Sequence, residues 1–218
     1  MARLKVGVLI SGRGSNLQSL LDACAAPDYP AEMALVISNI ADAYGLERAK
    51  KAGVATDVIW HKDFPSRGAF DMAVDARLRQ AGIELVCLAG FMRLLTAGFV
   101  ESWRDRILNI HPALLPAFPG LHVHEKVLAS GCRFTGCTVH VVRPEMDSGP
   151  IIVQAAVPVR PDDTADGLAQ RVLAEEHRIY PLALRLFAER RVRIDGERAL
   201  IQGAIVPDGG LINPSPAS

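Results

Sequence analysis

The chain has 218 residues, 50% hydrophobic and 22% charged, the make-up of an ordinary globular protein built as one domain or two tightly joined halves. Lys and Arg together number 24 and so do Asp and Glu, so no net charge draws it to nucleic acid or an anionic membrane, and a general polyanion binder is excluded. The four cysteines, Cys24, Cys87, Cys132 and Cys137, form no CxxC pair, which excludes the usual metal and redox spacings and fits reduced thiols in a cytoplasmic protein.

Strand-like and helix-like stretches alternate from the start. "LKVGVLI" (4–10) reads as a buried strand, and the whole opening "MARLKVGVLISGRG" as a first strand rather than a leader, its apolar run being too short to span a membrane. A Gly-rich turn and the helical "SNLQSLLDACA" follow, then a strand at 33–38 and the helix "AYGLERAKKAG", closed by Gly53. A third strand is predicted at 56–60, and a longer helix over "SRGAFDMAVDARLRQAG", with Ser66 as N-cap and Gly82 as C-cap. "ELVCLAG" (84–90) gives a fourth strand and "RILNI" (106–110) another. A proline-rich loop leads to a short helix around "HEKVLASG" and two strands, "TVHVV" and "PIIVQAAVPV". A long helix from Thr164 to about Glu189 carries Pro181, which is expected to kink it. "RRVRIDGERALI" is predicted to be a hairpin turning at Asp195-Gly196.

This rhythm predicts an α/β protein: a Rossmann-like, mostly parallel sheet flanked by helices on both faces. We expect one domain over residues 1–203, with a phosphate-binding half (1–105) and a catalytic half (106–203). The Gly/Pro/Ser-rich residues 204–218 are expected to form a flexible tail.

Two stretches carry candidate chemistry. In "ISGRGSNLQSLL" (10–21) a strand runs through small residues into a helix, which turns backbone N–H groups toward an anion. A dinucleotide fingerprint would want glycine or alanine where Leu17 stands, and an acid where the second strand ends in Ser38-Asn39. The loop therefore suits a single phosphate, or is a tight turn without a ligand.

In "NIHPALLPAFPG" (109–120), Asn109 and His111 leave one face of an extended strand, and Pro112 keeps His111 extended. Asp147, in the sharp turn of "MDSGPI", could reach His111 if its flanking strands share the sheet. An amide to meet an oxyanion, an imidazole to move a proton and a carboxylate to orient it suit nucleophilic attack on a carbonyl. No serine or cysteine occupies a nucleophile elbow, so the attacking group would come from a substrate. Spacing alone leaves a structural polar cluster equally open.

The motifs "SGRGSNLQ", "AGFMRLL", "NIHPALLPAFPGLHVHEKVL", "MDSGPI" and "EEHRIYPLAL" occur in this order over nearly the whole chain. Together they resemble the phosphoribosylglycinamide formyltransferase family. That resemblance implies formyl transfer from 10-formyltetrahydrofolate, a co-substrate, to the amine of glycinamide ribonucleotide in purine biosynthesis. It implies Asn109, His111 and Asp147 as the catalytic set, Gly14, Ser15 and Asn16 around the substrate phosphate, and Glu176 on the ribose hydroxyls. Arg67, Met92, Arg93, Leu94, Leu95, Arg143 and Met146 would line the folate site. Hydrophobicity alone reads Met92, Leu94 and Leu95 as plain core, and Glu176 could be a solvated helix residue.

The family uses no metal, so His122 and His124 of "HVH" are expected to have structural polar roles. Two small-molecule substrates, no nucleic acid, no membrane and a cytoplasmic setting complete the expectation; a homodimer is left open. Other readings are a tRNA formyltransferase, which would add a C-terminal RNA-binding domain and basic surface, and a formyltetrahydrofolate hydrolase, which would add an N-terminal regulatory domain. A nucleotide-binding dehydrogenase-like module is a third, against which Leu17 argues.

Overall fold

A computed structural model describes residues 2–214 of the chain. The strands are β1 (Leu4–Ile10), β2 (Ala31–Ser38), β3 (Ala55–Val58), β4 (Leu85–Leu88), β5 (Ile107–His111), β6 (Phe134–Val141), β7 (Ile151–Pro158), β8 (Val192–Asp195) and β9 (Arg198–Ile201). The helices are α1 (Ser15–Ala25), α2 (Tyr44–Lys51), α3 (Arg67–Gln80), α4 (Ala97–Ser102), α5 (Val123–Ser130) and α6 (Ala165–Ala188), with a 3₁₀ turn at His61–Asp63.

Seven strands form one sheet in the order β3-β2-β1-β4-β5-β6-β7. Strands β1 to β5 pair in parallel, whereas β6 and β7 join antiparallel, so the sheet is mostly parallel as the alternation predicted. Both faces are covered, and the strand residues divide between them with period two. Val6, Val8 and Ile10 of β1 meet Leu17, Leu20 and Leu21 of α1 and the buried side of α6. Leu9, Leu35 and Ile37 point the other way, against Phe70, Val74 and Leu78 of α3 and Phe99, Val100 and Trp103 of α4.

The caps explain where the helices start. Ser66 accepts the Ala69 N–H at 3.1 Å to open α3, and Thr164 accepts the Gly167 N–H at 3.1 Å to open α6. Gly82, with φ 68°, supplies the left-handed residue just beyond α3. The sequence reading misses α4, a helix of six residues capped by Thr96, and begins β6 four residues late. Helix α6 continues unbroken past Pro181, whose carbonyl accepts the Tyr29 hydroxyl at 2.6 Å. The small hairpin turns one residue later than expected, at Gly196-Glu197: Asp195 still pairs with Arg198, and Gly196 takes the positive φ.

Val192, Ile194, Ala199 and Ile201 of that hairpin pack on the core, with β9 beside β7. Beyond it, the Asn213 side chain donates to the carbonyls of Arg133 and Val159 at 2.6 and 3.0 Å. Residues 215–218 of the expected tail lie outside the described residues. Among the described residues no helix is long and apolar enough to cross a membrane. Cys24, Cys87 and Cys137 are buried free thiols and Cys132 is half-buried.

Candidate active site

Strand β1 has β2 on one side and β4 on the other, so the chain changes direction across the sheet at that point. Loops leaving the carboxyl ends of β1 and β4 diverge there and open a crevice, the usual ligand position in an open α/β sheet. The loop after β5 joins them, and the β6–β7 turn, which leaves the sheet beside the start of β5, folds back so that Asp147 reaches His111.

The alternation of β5 buries Leu108 and Ile110 against one core and directs Ile107, Asn109 and His111 to the other side. His111 is only 5% exposed. Its Nδ1 lies 3.4 Å from Asp147 Oδ1, and its Nε2 is 3.0 Å from the Phe118 carbonyl. Oxygen atoms thus face both ring nitrogens and fix the plane of the imidazole. The second carboxylate oxygen of Asp147 accepts the Gly120 N–H at 2.7 Å, so one acid holds both the histidine and the proline-rich loop. Thr138 pins the start of that loop, accepting the Leu115 N–H at 3.0 Å and donating to the Ala113 carbonyl at 2.6 Å. Asp147, Phe118 and His122 all have φ near +55° (51°, 54° and 57°), left-handed conformations that cost a non-glycine residue about 1 kcal/mol or more. Such local strain gathers around ligand-handling sites more often than in plain connections.

At the amino end of α1, Gly14 adopts φ 69°, and no side chain caps the helix. The first helical bond runs from the Gln18 N–H to the Gly14 carbonyl at 2.9 Å, so the preceding N–H groups of the first turn are free for an anion. A β-carbon on Gly14 would stand 2.7 Å from the Gly45 Cα, so the turn lies directly on α2. Beside it opens a cleft of about 390 Å³ lined by Ser15, Gln18, Ser19, Asp22, Arg48 and His177, with the Arg48 guanidinium fixed by the Arg13 carbonyl and Gln18.

Asn16 turns the other way and donates to Glu176 at 2.6 Å. Glu176 is buried, not the solvated helix residue the sequence also allowed. Burial pushes its carboxyl above the ordinary range, against the pull of Asn16 and His111. Glu176 thus ties the Gly14 turn to α6, and α6 packs on β6, whose Thr138 pairs with His111 across the sheet.

The segment after β4 is tied at both ends. Met92 N–H donates to Ser11 Oγ at 2.8 Å, Ser11 donates in turn to Asn39 at 2.6 Å, and Thr96 N–H donates to Asp71 at 2.6 Å. Between these ties Met92 and Leu94 are 65% and 57% exposed and so are not core residues; Leu95 packs against the α3 side. Arg93 buries an unpartnered Nε, Arg67 opens α3, and Met146 stands exposed beside Asp147. Arg143 differs from expectation. Its buried guanidinium is committed to Asp105 at 2.9 Å and Glu197 at 3.1 Å, which ties the β6–β7 turn to the small hairpin. His122 is exposed and His124 is half-buried with an unpartnered Nδ1; burial lowers the His124 pKa. Among the described residues no group of three or more His, Cys, Asp or Glu is spaced to hold a metal ion.

The sequence reading did not single out His140, which lies opposite Asn109 in the ladder with Nε2 at 3.2 Å from its amide nitrogen. A histidine inside the alternating "TVHVV" strand was the available sign, but only the antiparallel register discloses its partner.

Comparison with known proteins gives a consistent result. Residues 4–184 match the formyl transferase family model. The phosphoribosylglycinamide formyltransferase of Escherichia coli (strain K12) is 44% identical over 207 residues, covering 95% of this chain and 98% of that protein. A trifunctional purine biosynthetic protein adenosine-3 of Drosophila pseudoobscura pseudoobscura is 53% identical over 88% of this chain. The chain spans only 14% of that protein's length, and 19–20% of the vertebrate trifunctional relatives. The crystal structure of glycinamide ribonucleotide transformylase 1 from Symbiobacterium toebii superposes with a TM-score of 0.90 at 54% identity, covering 92% of this chain and 94% of that one.

Proposed function

Since the chain belongs to the formyl transferase family, we propose that it moves a formyl group from 10-formyltetrahydrofolate to the primary amine of glycinamide ribonucleotide. The observation that carries this reading is that α6 holds an uncapped helix amino end through Asn16 and Glu176 while packing on β6, the strand paired with the one that presents Asn109 and His111 to Asp147. A phosphate-bearing amine can be held at one end of such a site while its nitrogen meets a carbonyl at the other. Relatives of nearly the same length carry the corresponding name.

In this account the N–H groups of Ser15 and Asn16, at the turn made by Gly14, hold the ribonucleotide phosphate, and Glu176 accepts from the ribose hydroxyls. The exposed faces of Met92, Leu94 and Met146, with Leu95 behind, receive the flat pterin, and Arg67 and Arg93 the anionic end of the folate. Arg143 would contribute through its main chain, its guanidinium being engaged elsewhere.

The substrate amine attacks the formyl carbon, so a C–N bond forms and the carbonyl oxygen becomes an oxyanion. Asn109 donates an N–H to that oxyanion, and His111, oriented by Asp147, lies beside it. His111 then relays the proton lost by the attacking nitrogen to N10 of the folate as the N10–formyl bond breaks. Formylglycinamide ribonucleotide and tetrahydrofolate leave, and atoms and charge balance without an outside nucleophile. We further propose one domain over 1–203, and a cytoplasmic setting in keeping with the buried free thiols.

The test is kinetic. His111→Ala and Asp147→Asn should each lower kcat by roughly 10²–10⁴-fold, the usual worth of general acid–base groups, while the Kd for glycinamide ribonucleotide changes by less than about threefold. Near-normal kcat in either variant would overturn the assignment.

A further inference from the structure

The formyl-transfer reading asks Asn109 to present an N–H, not its carbonyl, to the oxyanion; the inference below rests on that reading and concerns what enforces the choice. An asparagine amide is nearly symmetric in shape, so a neighbour must fix which end faces the site.

His140 is that neighbour by position. It sits on β6 directly across the antiparallel ladder from Asn109, so both side chains leave the same face of the sheet. It is 1% exposed and cannot exchange its partners for water. Its Nδ1 lies 3.0 Å from the Ser148 carbonyl and 3.2 Å from the Val141 carbonyl. Carbonyl oxygens only accept, so Nδ1 must carry a hydrogen. Burial lowers the ring's pKa below the ordinary histidine range, against the pull of those carbonyls and of Asp147. A neutral ring with its hydrogen on Nδ1 leaves a lone pair on Nε2. Asn109 Nδ2, at 3.2 Å, can satisfy that lone pair only as a donor. The reversed amide would set its oxygen against the lone pair and gain no bond.

We propose that His140 is a positioning residue for formyl transfer: its Nε2 fixes the Asn109 amide with nitrogen inward, leaving the second N–H for the oxyanion, while its Nδ1–H anchors the main chain at Ser148, next to Asp147. One buried ring thereby registers two of the three reacting side chains against each other, although it touches neither substrate.

His140→Asn tests this, because asparagine keeps a side-chain N–H near the Ser148 carbonyl and removes the acceptor that faces Asn109. Removing an oxyanion donor outright costs about 10²–10³-fold in kcat. Freeing the amide to turn should cost part of that, a fall of roughly 10–100-fold, with KM for both substrates within about twofold. Asn109→Ala should lose little more when combined with His140→Asn, since the two changes remove one function. Multiplicative losses in the double variant, or a raised KM with unchanged kcat, would overturn the proposal.

Nitrogen NMR of the ring in the wild-type protein gives a readout independent of turnover. Nδ1 should be protonated and Nε2 free from pH 6 to 8; the opposite tautomer or a charged ring would overturn the proposal. Wild-type protein that transferred no formyl group would count against the formyl-transfer reading, and the tautomer would still decide whether His140 sets the Asn109 amide.

Discussion

Glu176 illustrates what a single side chain gives up to serve this site. Its carboxyl is buried on α6 with Asn16 as donor, and burial raises its pKa above the ordinary range. Folding therefore disfavours the ionised form relative to the unfolded chain, so the acid's stabilising contribution is complete below the unfolded value, about 4.3, and is lost as pH rises through the folded value. Glutamine never ionises and avoids that loss. Glu176→Gln should lie closest to the wild type in thermal midpoint below the unfolded value and exceed it once pH has risen through the folded value, in melts without ligand. A difference independent of pH would show that ionisation of Glu176 does not burden the fold. At this scale Asn109 and His111 were legible because a strand has period two and Pro112 keeps its neighbour extended. His140 was not, because its meaning depends on the partner that an antiparallel register places opposite it. The engagement of the Arg143 guanidinium was hidden for a similar reason: the two acids that claim it, Asp105 and Glu197, lie far from it in sequence.

At the level of elements, the turn proposed to hold phosphate takes its shape because two helices are allowed to touch. Gly45 N–H on α2 donates to the Gly12 carbonyl at 3.0 Å, and a β-carbon at Gly45 would fall 2.5 Å from Ile10 Cδ1 and 3.3 Å from Gly14 Cα. Ile10 is fully buried and has little room to yield. Gly45→Ala should therefore cost about 1–3 kcal/mol in chemical denaturation, as overpacked cores do, and should raise KM for the ribonucleotide several-fold with little change in kcat. Unchanged KM would separate this contact from substrate binding. The sequence reading recognised α1 and α3 easily because their apolar spacing is regular and Ser66 is a standard cap. Helix α4 escaped it because six residues scarcely complete two turns, too few for periodicity to register. The hairpin was found but displaced by one residue, because Gly196 rather than Asp195 opens its two-residue loop.

Over the whole molecule, the early strand–helix alternation required a parallel sheet covered on both sides, and that much followed from pattern alone. It did not specify that β6 and β7 would reverse, which is decided by the return of the chain after α5. The reversal matters for function: it carries the Asp147 turn back over His111 and aligns His140 with Asn109. The amino-terminal part, with the Gly14 turn, and the carboxyl-terminal part, with Asn109, His111 and Asp147, are linked by the last long helix, whose Glu176 holds Asn16 while the helix packs on β6. The proposed reaction needs both parts occupied at once, one by the amine and one by the formyl donor. The most direct measurement is the rate of tetrahydrofolate release from 10-formyltetrahydrofolate with and without glycinamide ribonucleotide. Release should depend on the ribonucleotide and match formylglycinamide ribonucleotide one for one. Release that continues at the same rate without it would contradict transfer to an amine and mark water as the acceptor.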